Sequence, residues 1–65
     1  MTMFLGRRVR IRQTASTPLG RLHAGEYATI VDQVGTLEEG VSFYTVRLDN
    51  MEMASLPPDE VEILD

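Results

Sequence analysis

Turn-forming residues cut this chain into pieces too short, and too strictly alternating, for helices. Gly6, Pro18, Gly20, Gly25, Gly35, Gly40, Asp49-Asn50 and Pro57-Pro58 punctuate 65 residues. Each is a breaker or a turn former. Between them side chains alternate with a period of two, the signature of half-buried strands. No segment carries a convincing helix longer than about one turn, and no internal repeat or low-complexity stretch is visible. Residues 1–65 therefore read as a single all-β domain with five short strands.

The first strand spans Arg7 to Gln13, with Arg8, Arg10 and Arg12 on one face and Val9 and Ile11 on the other. Thr14 to Gly25 is a long loop, and Leu19 and Leu22 are expected to tuck beneath it. Glu26 to Val34 is the second strand, because Tyr27-Ala28-Thr29-Ile30-Val31 gathers aromatic and β-branched residues. Gly35 ends it, and Thr36 to Gly40 is a polar turn. Val41 to Asp49 is the third strand. Its apolar face changes parity between Phe43 and Tyr44, which requires either a bulge or two aromatics on opposite faces. Met51 to Leu56 is the fourth strand, with Met51, Met53 and Ser55 on one side. Pro57-Pro58 cannot continue a central strand, so Pro57 to Glu60 is a single helical turn. Val61 to Leu64 is the closing strand, with Val61 and Ile63 inward and Glu62 outward.

A protein of this length buries only about 60% of its unfolded surface. Its core rarely supplies more than about 3–5 kcal/mol unaided. There is no cysteine to add a disulfide or a thiolate metal site, and one histidine, His23, cannot build a histidine-rich one. The fold must therefore rest on its apolar core, a partner or a second copy. A hydrophobic content of 43% argues against disorder. No apolar run approaches the roughly 18 residues of a membrane span. The opening residues carry no secretory pattern, so a cytoplasmic location is expected. Met1 is read as the start of a complete protein.

Charge is divided along the sequence. The first 25 residues carry +5, all arginine, and the remainder carries −9. Such a split marks either a binding face or neighbouring strands that neutralise one another. Arg8, Arg10 and Arg12 stand about 7 Å apart along one strand face. They could hold an acidic partner or a phosphate backbone. Alternatively the last strand lies beside the first, and Glu60 and Glu62 face the arginines as cross-strand ion pairs. Arg21 and His23 belong to the long loop, which is either a binding loop or a solvated one. Tyr44 and Phe43 divide between core and interface, and Tyr44 is taken as a partner-binding residue with Arg8, Arg10, Arg12, Arg21 and His23. Met51 and Met53 either face outward as an adaptable patch or are partly covered. Glu38-Glu39 and Asp59-Glu60 lack the spacing of a metal loop. No nucleophile has a plausible base, no glycine-rich phosphate loop precedes a helix, and no cofactor is implied. The sequence does not read as that of an enzyme.

Four segments carry a resemblance that covers nearly all 65 residues. They are Gly6-x-x-Val9-x-Ile11, Gly25-Glu26-x-Ala28-Thr29-Ile30-Val31, Tyr44-Thr45-Val46-Arg47-Leu48-Asp49-Asn50, and Leu56-Pro57-Pro58-Asp59-Glu60-Val61-Glu62-Ile63-Leu64. In this order they resemble a small five-stranded SH3-like barrel, with a long first loop and a single helical turn before the last strand. The third strand and the ending look most like small accessory subunits. These are the variable subunit of ferredoxin–thioredoxin reductase, the small stromal subunit of photosystem I, the C-terminal domain of the nitrile hydratase β subunit and a nitrogen-fixation accessory protein. The resemblance implies a non-catalytic protein-interaction module, an accessory or assembly factor docking on a larger redox or metal enzyme. The alternative is a KOW-type nucleic-acid-binding barrel using the N-terminal arginines, though those relatives are typically basic and this protein has a pI near 4.7. The peptide-binding SH3 groove needs a tryptophan and clustered aromatics, and there is no tryptophan here. No membrane partner is expected, and the state is a monomer or a weak homodimer paired through an exposed edge strand.

Overall fold

The computed structural model describes residues 5–36 and 38–64. Met1 and Phe4 lie outside them, as does Leu37 of the expected polar turn. Five strands form one antiparallel sheet: β1 (Arg8–Ile11), β2 (Tyr27–Thr36), β3 (Gly40–Leu48), β4 (Met53–Leu56) and β5 (Val61–Ile63). Their order is β4-β3-β2-β1-β5, so β5 lies beside β1, and β4 and β5 are the edges. The fold is all-β apart from a short helix α1 (Pro18–His23) between β1 and β2 and a 3-10 turn (Pro58–Glu60) before β5. No helix among the described residues is long and apolar enough to cross a membrane.

Alternation selects the core. Val9, Ile11, Ala28, Ile30, Tyr44, Val46, Leu48, Ala54, Leu56 and Val61 form one buried cluster, with Val41 and Ile63 packed against it. The sheet curls so that α1 packs against β4 and the 3-10 turn against β3.

The parity change in β3 has a bulge as its cause. Val34 faces Phe43 while Gly35 faces Val41, so Ser42 is an extra residue on β3. Beyond it Tyr44 falls in phase with Val46 and Leu48 and is buried, while Phe43 is exposed. A second irregularity makes Val31 the extra residue on β2, since Ile30 faces Val46 and Asp32 faces Thr45. Gly35 does not end β2. The backbones there leave no room for a side chain, since a Cβ would collide with the Gly40 carbonyl oxygen and lie 2.8 Å from the Val41 Cα.

The expected loop departs from the observed one. Thr17 caps α1 by accepting a hydrogen bond from Gly20 N at 3.1 Å, and Pro18 occupies the first helical position. Leu19 and Leu22 do not tuck under; both are exposed, and Ala15, Gly20 and His23 are buried instead. The loop packs through Ala15, Gly20 and His23. The Gly20 Cα sits so close to Ala15, Thr17 and Glu60 that a Cβ would lie within 3.0 Å of each.

β4 starts at Met53, later than the sequence suggests. Met51 belongs to the preceding turn with φ of +74°. Met51 N donates to Leu48 O at 2.9 Å, Leu48 N to Glu52 O at 2.8 Å, and Glu52 N to the Asn50 side chain at 3.0 Å. That is a three-residue hairpin loop whose last residue is left-handed.

Candidate functional site

Three side-chain groups and one apolar pair are the candidates. The first is the arginine row. Arg8 makes a bidentate contact with Asp49, at 2.8 and 3.2 Å, and reaches Thr29 Oγ1 at 3.1 Å. Hydrogen bonding to Arg8 lowers the Asp49 carboxyl below its ordinary range, and the same contact raises the Arg8 guanidinium. Arg10 faces Glu62 in register, with Nε 4.0 Å from its carboxylate. That Nε is buried and makes no hydrogen bond among the described residues. Arg12 lies past the end of β1 with its side chain exposed. Two of the three arginines therefore already have acidic neighbours. Only Glu62 is one of the two acids expected; Asp49, from the β3–β4 turn, replaces Glu60.

Glu60 turns inward, and this is the second group. Its Oε1 accepts from Ser16 N at 2.6 Å, Ser16 Oγ at 2.8 Å and Thr17 N at 2.9 Å, while Oε2 accepts from Thr17 Oγ1 at 2.8 Å. Burial pushes this carboxyl up, but the hydrogen bonds from Thr17 and Ser16 outweigh it and hold the pKa at about 2. A capping box places its glutamate three residues inside the helix. Here that position is Gly20, and a glutamate 40 residues away supplies the carboxylate instead. The result fastens the first loop to the start of β5. Arg21 adds to the same loop by donating from Nη1 to the Ser16 carbonyl oxygen.

The third group surrounds His23. The ring is buried, with Nδ1 2.9 Å from Glu26 Oε2 and Nε2 4.0 Å from Glu52 Oε2. It braces α1 against the start of β2 and the residue before β4. No group of three or more histidine, cysteine, aspartate or glutamate side chains among the described residues is arranged to hold a metal ion. Beside this brace lies an open depression of about 240 Å³ lined by Glu26, Tyr27, Leu48, Asp49 and Asn50. It is smaller than the roughly 300 Å³ at which ligand pockets begin.

The fourth candidate is apolar. Val34 and Phe43 pair across β2 and β3, and both are about half exposed. β1 and the residues just before it bond to β2 no farther along than Ile30, and β4 pairs with β3 no farther from their turn than Tyr44. Among the described residues the Val34–Phe43 rung therefore has no neighbouring strand on either side. Tyr44, the expected contact residue, is buried in the core. The signal that separates it from Phe43 is the parity of Val46 and Leu48, followed backward to the bulge. Met51 and Met53 are also exposed.

No protein-family model, curated protein or solved structure matches this sequence.

Proposed function

We propose that this protein is a non-catalytic interaction module, an accessory or assembly factor that docks on a larger protein. The observation that carries the reading is the Val34–Phe43 rung. Two large apolar side chains stand side by side on a part of the ribbon that, among the described residues, no other strand covers. Aromatic anchors of this kind dominate interface energetics when a partner buries them. The strand order supports the SH3-like barrel reading, since β5 lies beside β1 and follows a 3-10 turn. The resemblance to accessory subunits makes a redox or metal enzyme complex the class of host.

Nucleic-acid binding is the weaker reading, because Arg8 and Arg10 are turned toward Asp49 and Glu62 rather than left open to phosphates. One experiment separates the two. Tagged protein is used to capture partners from native lysate, with and without nuclease, beside a Val34→Ser/Phe43→Ser variant. The expected result is a discrete protein that survives nuclease and is lost with the variant. A catch that vanishes with nuclease and ignores the variant would transfer the function to the arginines.

A further inference from the structure

We infer that β4 is a dimerisation edge, and that its partner is β4 of a second copy in antiparallel register centred on Ala54. Hydrogen-bond phase decides which backbone groups face out of the edge. In an antiparallel ladder, residues alternate between pairs that exchange both backbone bonds and pairs that exchange none. Leu48 N donates to Glu52 O, which makes Leu48–Glu52 a bonded pair. Counting along the register, Val46–Ala54 and Tyr44–Leu56 are bonded pairs too. The backbone groups of Ala54 and Leu56 thus point into the sheet, and those of Met53 and Ser55 point out of its edge. The Thr45 and Ser55 hydroxyls, 3.4 Å apart, fit the closer approach of side chains in a non-bonded pair. Met53 and Ser55 are both exposed.

This pattern is complementary to itself. With Ala54 opposite its own copy, Met53 faces Ser55 of the partner strand and Ser55 faces Met53. Each of those two pairs exchanges two N–H···O bonds, so all the outward groups of Met53 and Ser55 are satisfied at once. The two-fold contact is closed, which stops it growing into a fibre.

Charge decides between the two edges. β5 has the same phase, since Arg12 N donates to Glu60 O and Leu64 N to Arg8 O. Its outward groups are those of Val61 and Ile63, so the matching pairing would centre on Glu62. Two carboxylates would then stand directly opposite each other, which is destabilising. β4 is Met-Ala-Ser-Leu, with no charge. In a protein of net charge −4, it is the edge at which two copies meet without opposing like charges. It also lacks the lysines or internal proline that commonly blunt a free edge.

The test is sedimentation velocity on the whole protein over a hundredfold range of concentration up to about millimolar. The expected result is a concentration-dependent doubling of the 7.3 kDa mass. Ser55→Pro removes an outward donor and leaves the β3 ladder intact. It is expected to abolish the doubling while the circular dichroism spectrum is retained. Ser55→Asp places two carboxylates close to the two-fold and is expected to do the same should the proline variant unfold. A protein that stays at single mass throughout would overturn the inference. So would species larger than a dimer, or a dimer that persists in both variants.

Discussion

Glu60 is the residue on which the first loop depends. Its carboxyl lies at about 2, below the ordinary value of 4.5. A depressed carboxyl stabilises the folded state above its unfolded pKa, and that stabilisation fades as pH falls toward the folded one. The acid limb of stability should therefore be steep between about pH 4.5 and pH 2. Glu60→Gln should lower the melting temperature at neutral pH and flatten that limb, as read by thermal melts across the acid range. Unchanged slope in the variant would show that other carboxyls control acid unfolding. Met51 offers the opposite kind of change. Its φ of +74° costs a side-chain-bearing residue about 1–2 kcal/mol. Glycine takes that conformation freely but gives back about 0.5–1 kcal/mol of backbone entropy. Met51→Gly should thus be stabilising by about 0.5–1 kcal/mol, which in so small a domain raises the melting temperature by several degrees.

At the scale of elements, the β2–β3 ribbon positions the proposed docking rung, and Gly35 is a point where it has no room for a side chain. A methyl group there would run into the backbone of Gly40 and Val41, which no rotamer change can relieve. Gly35→Ala should cost about 3 kcal/mol or more, and the loss should appear first as faster amide exchange in residues 33–43. All five strands are legible in the sequence because each buries one face, so its apolar positions recur every second residue. Helix α1 is not, since its packing rests on Ala15, Gly20 and His23 and its two leucines point outward. An amphipathic pattern cannot reveal a helix whose buried residues are one glycine and one histidine. Thr17-Pro18 is the one local signal, a cap followed by a first-turn proline. The start of β4 is hidden as well, because nothing in the sequence shows that Met51 adopts a left-handed turn.

For the whole molecule, the charge split resolves into paired surfaces rather than one open basic face. The Arg10–Glu62 pairing follows from β5 lying beside β1. Arg8–Asp49 does not, because it joins β1 to the turn two strands away, a distance that register arguments do not span. The candidate site is legible in the same partial way. Alternation predicts one exposed aromatic in β3, but only the position of the bulge shows that it is Phe43 and not Tyr44. The proposed function rests on that assignment. Site-directed photo-crosslinking tests it most directly, with benzoylphenylalanine placed at Phe43 in one sample and at Arg12 in another, both in native lysate. A docking module anchored on the Val34–Phe43 rung gives a discrete protein adduct from position 43 and none from position 12. Crosslinks to nucleic acid from position 12, with position 43 silent, would contradict it.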